Sequence, residues 1–145
     1  MHNRHQQIEI ETGEGIALHD LTPELRTLVA ASNMRSGFVA VSSRHTTTAL
    51  TVNENEQRLL DDVRNFLTRL IPPGAGYRHD DIQLRDCPPD EPRNAHAHLA
   101  AMLLGSSEVI PIIDGTLALG TYQSLLLIEL DGPRSRRISV QLVGE

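Results

Sequence analysis

The sequence predicts an α+β fold: one compact domain with a mostly antiparallel mixed sheet covered by two or three helices. Three observations lead there. Short stretches with a two-residue apolar alternation lie near both ends of the chain, and turn residues separate them. The clearest amphipathic helix sits between them, from Glu54 to Ile71. The 145 residues fit one domain, 1–145, with a core of its own, and are too few for a (β/α)8 barrel.

Gln7 to Thr12 alternates as a strand, Gly13 to Gly15 turns, and Ile16 to Leu21 pairs back. Thr22-Pro23-Glu24 starts a helix, with a hydroxyl, a proline at the first helical position and an early carboxylate. Leu25, Leu28 and Val29 form its apolar stripe. Phe38 to Ser43 and Ala49 to Val52 read as strands. In the central helix, Leu59, Leu60, Val63, Phe66, Leu67, Leu70 and Ile71 keep helical spacing until Pro72-Pro73-Gly74 stops it. Gly74 to Arg93 is a long polar loop, a length that in a compact domain points to function or mobility. Asn94 to Leu104 is a further helix ended by Gly105. Val109–Ile113, Leu117–Leu119, Tyr122–Leu130 and Arg137–Val143 are the remaining strands.

Composition narrows the function. A formal net charge of −6 argues against sequence-independent binding of nucleic acid, which needs a basic surface. Cys87 is the only cysteine, so neither an internal disulfide nor a cysteine zinc site can form, and a reducing compartment fits. The N-terminal segment MHNRHQQIEIET lacks an apolar leader core, and no apolar run reaches the roughly 20 residues of a membrane span. A cytoplasmic protein without membrane contact is expected.

Histidine dominates the candidate chemistry, with seven in the chain. His2 and His5 fall in a segment expected to fray, and His19 in an ordinary strand. His45 closes a β-rich run and precedes three threonines and Asn53-Glu54-Asn55. It could be a general base, a metal ligand or a surface residue near a turn. His79 lies in the long loop beside Asp80, which could orient its ring. His96 and His98 open the last helix. On a helix they project about 200° apart and share no ligand, whereas on an extended segment they could chelate one metal. In the C-terminal third, Gly120-Thr121 interrupts a strand where a ligand could approach the backbone. Arg134, Arg136 and Arg137 suit phosphate, but strand alternation lets only one of Arg136 and Arg137 face a given site.

These motifs together resemble a known family. His45-Thr46-Thr47, then Leu50-Thr51-Val52-Asn53-Glu54-Asn55, is similar to its His-Thr-Ser/Thr…Asn-Glu-Asn signature. Tyr77-Arg78-His79-Asp80 resembles its Tyr-x-His-Asp element. Ala97-His98 with Leu103-Leu104-Gly105-Ser106-Ser107, then Ile110-Pro111-Ile112, Gly115, Leu119-Gly120-Thr121-Tyr122-Gln123, Glu129 and Ser135-Arg136-Arg137, follow in order. The chain is thereby identified as resembling the YjbQ family, the secondary thiamine-phosphate synthase family. Ala100 stands where the family commonly has Lys, and Tyr122 where Trp is common.

The resemblance implies a homotrimer with polar clefts near subunit contacts. It also implies weak thiamine-phosphate synthase activity, a transferase reaction joining a pyrimidine methyl diphosphate to a thiazole phosphate with release of pyrophosphate. On that reading His45, His98, Asn53 and Glu54 are catalytic, and Thr47, Asn55, Gly120, Thr121, Gln123 and Arg137 bind a small phosphorylated metabolite. His45, His79 and His98, with His96 as a further ligand, are expected to converge and to hold a divalent metal, Mg²⁺ or Zn²⁺. Two alternatives use the same His-rich cleft: a non-catalytic binder of a metal or phosphate metabolite, and a metal-assisted hydrolase.

Overall fold

A computed structural model describes all residues from Met1 to Glu145. The strands form two sheets rather than one, and every pairing is antiparallel. The first sheet has the order β1 (His2–Glu11), β8 (Ser135–Gly144), β3 (Ser36–Ser43), β5 (Ser107–Ile113), β6 (Thr116–Leu117). The second has the order β2 (Gly15–Asp20), β7 (Ser124–Gly132), β4 (Thr48–Asn53). Three α-helices accompany them, α1 (Thr22–Ser32), α2 (Gln57–Leu70) and α3 (Ala95–Leu104). The long loop carries two single 3-10 turns, Arg78–Asp80 and Ile82–Leu84.

Side-chain alternation explains the layering. Along β8, Ile138, Val140 and Leu142 are buried and face the second sheet, with Val39 and Val41 of β3 and Ile110 and Ile112 of β5 beside them. Leu50 of β4 and Leu125 and Leu127 of β7 meet them from the other side, and Leu25 and Val29 of α1 close this core. The opposite face of the second sheet, with Ala49, Ile128 and Leu130, is covered by Leu67 of α2 and by Ala97, Ala100 and Ala101 of α3. β7 is therefore buried on both faces, which is why Leu125 to Leu130 is almost uninterrupted apolar sequence.

Three expectations are corrected here. β1 begins at His2 rather than Gln7, and its early residues pair in register with β8 up to Gly144. The first residues of the chain are thus held in the sheet, and His5 Nε2 lies 2.6 Å from Ser139 Oγ. α2 starts at Gln57, not Glu54. Glu56 caps it, accepting from the backbone N–H groups of Arg58 and Leu59, so Asn53-Glu54-Asn55 lies outside the helix. Finally, Tyr122 and Gln123 precede β7, in a turn where Gln123 Oε1 accepts from the Gly120 N–H at 2.8 Å.

Candidate functional site

The loop from Arg44 to Thr47 steps from β3 of one sheet to β4 of the other. At this end the two sheets are bolted together by a buried ion pair. Arg136, at the start of β8, is only 4% exposed and Glu129 of β7 is fully buried. Arg136 donates from Nε to Glu129 Oε1 at 2.7 Å and from Nη2 to Oε2 at 2.6 Å, a two-pronged carboxylate contact. Thr12 Oγ1 donates to Glu129 Oε1 at 2.5 Å, and the N–H groups of Leu130 and Asp131 donate to Oε2. Burial pushes the Glu129 carboxyl up, but the hydrogen bonds from Arg136, Thr12 and the Asp131 backbone outweigh it and hold it below the usual value. Arg137 was the expected site residue of the two; Arg136 is the one turned inward, because its position shares the buried face of β8 with Ile138 and Val140.

In front of this pair lies a polar cleft of about 380 Å³, with no hydrophobic residue in its lining. The 44–47 loop gives it Arg44, His45, Thr46 and Thr47; Glu91, Pro92 and Asn94 approach from the long loop; His98 comes from α3, and Arg134 and Arg136 from the head of β8. Each wall has a local cause. Asp80 is buried and accepts from the first N–H of α3, that of Ala95, at 3.0 Å, which ties the long loop to the helix carrying His98. Asp80 thus caps a helix instead of orienting His79. Asn94 Nδ2 and Arg134 Nη2 both donate to Asp131 Oδ2, at 2.8 and 2.9 Å, while Asn94 Oδ1 is buried without a partner. Thr47 Oγ1 accepts from Arg136 Nη2 at 2.8 Å and is buried, so its hydroxyl is committed to the wall.

His45 and His98 line this one cleft, whereas His79, the third histidine expected there, does not. His45 Nε2 accepts from the Arg137 backbone N–H at 2.8 Å. Burial lowers the pKa of His45, and the neighbouring Arg136 lowers it further. His98 is lowered by burial and then by His79, whose ring meets it edge-on at 4.7 Å between centroids. His79 stands behind His98, in an adjoining pocket with Tyr77, Leu99 and Met102. His96 is on the helix two residues from His98, so the two cannot chelate.

The remaining expected site residues lie elsewhere. Asn53, Glu54 and Gln123, with Val52 and Tyr122, line a second cleft of about 620 Å³. It sits at the far end of β4, and the seven steps from Thr47 to Glu54 span about 20 Å of extended chain. Gly120 and Thr121 belong to the turn beside it. Asn55 reaches Asp20 Oδ2 at 3.4 Å. The Arg137 side chain projects from the outer face of the first sheet, exposed, 3.8 Å from Glu9. The cations of the His45 cleft are Arg44, Arg134 and Arg136. Sequence reasoning passed over Arg44 and Asn94, although Arg44 adjoins His45.

The chain contains no group of three or more His, Cys, Asp or Glu placed to hold a metal ion. The Nε2 lone pair of His45 is occupied by a backbone donor, and Glu91 is the only carboxylate in the lining. The residues of the chain do not fit a three-imidazole centre.

Fold and site together define a small two-sheet α+β domain with a polar, arginine-rich cleft between its sheets. The family model of the UPF0047 protein YjbQ-like family matches residues 6–145, and the chain belongs to that family. A UPF0047 protein of Archaeoglobus fulgidus is 42% identical over 93% of this chain and 98% of its own. One from Methanothermobacter thermautotrophicus is 40% identical over 97% and 92%. Among solved structures, a YbjQ-like protein of unknown function from Sulfolobus solfataricus is similar at a TM-score of 0.89 and 33% identity over 99% of both chains. A hypothetical protein from Aeropyrum pernix has a TM-score of 0.88 and 34% identity, over 98% of this chain and 99% of its own.

Proposed function

We propose that the His45–His98 cleft binds a small phosphorylated metabolite and that the protein is a transferase acting on it, with thiamine-phosphate formation as the named reaction. The observation that carries this reading is the lining: three arginines and two neutral histidines around a cleft with no apolar wall. In that reaction the thiazole nitrogen attacks the methylene carbon of the pyrimidine, a C–N bond forms, and the C–O bond to diphosphate breaks. Pyrophosphate leaves with the electron pair. No base is required at the reacting carbon. What the site must supply is charge stabilisation on the departing oxygens, and fixed guanidinium and imidazole N–H donors do that. A divalent ion would add charge neutralisation, and it would have to be held chiefly by the diphosphate, with Glu91 in reach of the cleft.

The test is direct. Purified protein supplied with pyrimidine methyl diphosphate and thiazole phosphate, with and without Mg²⁺, is expected to release thiamine phosphate and pyrophosphate in equal amounts. The Arg44→Gln variant should lower that rate at least about tenfold. Binding of both substrates without turnover would favour the binding-protein alternative, and absence of binding would overturn the reading.

We also propose self-association as a homotrimer. The observation favouring it is the outer face of the first sheet, where Val109 and Ile113 of β5 are 62% and 58% exposed beside Phe38 of β3. That apolar patch is the sort of surface subunits cover.

A further inference from the structure

Taking the cleft as a phosphate site, we infer that the anion docks on the Arg44 guanidinium and on the Nδ1–H of His45, with His45 acting as a fixed neutral donor and not as a base or metal ligand. The Arg137 backbone N–H lies 2.8 Å from His45 Nε2. An amide N–H can point only at a lone pair, so Nε2 carries no proton, and in a neutral ring the proton sits on Nδ1. Nδ1 has no partner within the chain and is not buried, so its N–H is open to a ligand, and His45 lines the cleft. The loop that carries the ring is pinned to its neighbours, and the ring itself is held by the Arg137 N–H. The Arg44 N–H donates to the Arg137 carbonyl at 3.4 Å, the Leu130 N–H to the Thr47 carbonyl at 3.1 Å, and the His45 N–H to Ser43 Oγ at 3.3 Å.

A general base, or a ligand to a transition metal, must present a lone pair to its target. The only lone pair of His45 faces β8. Arg44 supplies the charge. Arg136 has committed Nε and Nη2 to Glu129 and Thr47, and Arg134 has committed Nε and Nη2 to Asp131. Each leaves Nη1 over. The Arg44 guanidinium is exposed and makes no hydrogen bond or ion pair in the chain, so its whole fork is free for an oxyanion. The two donors are consecutive residues of one loop, which suits two oxygens of a single phosphate.

The experiment uses the full chain labelled with ¹⁵N. At pH 7.5, long-range ¹H–¹⁵N spectra should show His45 with a protonated Nδ1 and an unprotonated Nε2. Titration with pyrophosphate should shift the Nδ1–H resonance, and Arg44→Gln should weaken pyrophosphate binding about tenfold, the loss expected for a charge-assisted contact. The amide spectrum of the variant checks that it is folded. A protonated Nε2, or Zn²⁺ binding that displaces the His45 ring proton, would overturn the inference. So would pyrophosphate binding that leaves both His45 and the Arg44→Gln affinity unmoved, with the phosphate reading itself intact. If pyrophosphate does not bind the wild-type protein at all, the phosphate reading falls and the docking falls with it.

Discussion

Consecutive residues of β8 play opposite parts. Arg136 is buried against Glu129, while Arg137 is exposed near Glu9 and lends only its backbone N–H to His45. Removing one partner of a buried pair strands the other charge, so Arg136→Met should cost about 3–5 kcal/mol in urea unfolding. The pH dependence follows from the lowered Glu129 pKa. The unfolded state takes up a proton near 4.5 while the folded carboxylate still resists, so this stability is full above that pH and is lost as pH falls through the folded value. Unfolding midpoints measured from pH 7 down to 3 should drop below about 4.5, and Glu129→Gln should start lower and flatten the drop. His45 contributes in the same sense from a higher start, its share being full above 6.5. The alternation rule read in the sequence showed that Arg136 and Arg137 must part company. Arg136 is the one that faces inward because it shares the face of Ile138, Val140 and Leu142, and Glu129 of the other sheet is the partner that lets a cation be buried there.

The helices were the easiest elements to read, because periodicity and stop signals are local. Leu67 of α2 is buried as its place in the stripe requires, and Leu67→Ala should cost about 2–5 kcal/mol by opening a cavity against Ile128 and Ala101. A smaller loss would mean that α3 collapses onto the second sheet to fill the space. The same stripe overreached at Phe66 and Leu70, which are half exposed. Ala100 illustrates what spacing hides. It packs in the second core, on the side of α3 away from His98, so the absence of a lysine there takes nothing from the cleft. Strands are harder: the apolar alternation marks β1 only from Gln7, five residues after its start, since its first half is polar and is held only by distant β8. The motif from His45 to Asn55 looked like one site because it is continuous in sequence. A strand in the middle of it carries the two ends apart.

At the scale of the whole molecule, the five-stranded sheet keeps helices off its outer face, and the apolar part of that face lies on β3 and β5. If copies of the chain meet there, light scattering at micromolar protein should give the mass of three chains, and Val109→Glu should shift it to one. A wild-type monomer, or a trimer indifferent to Val109→Glu, would place the contact elsewhere or remove it. The division into two sheets was beyond the sequence, since both sheets present the same alternating apolar pattern and nothing local says which strand joins which.

The bond between Glu129 and Arg136 has a consequence for folding errors. β8 lies between β1 and β3, and a slip of one residue would still let it form its ladders. In the slipped arrangement Arg136 would point to solvent, Ile138, Val140 and Leu142 would follow it out, and Glu129 would remain sealed between the sheets with no cation. An apolar pair in place of the two would bind the sheets about as firmly, but it would not penalise that mistake so heavily. The pair works as a key that fits one alignment of the strands, and the same alignment brings the Arg137 amide to the ring of His45.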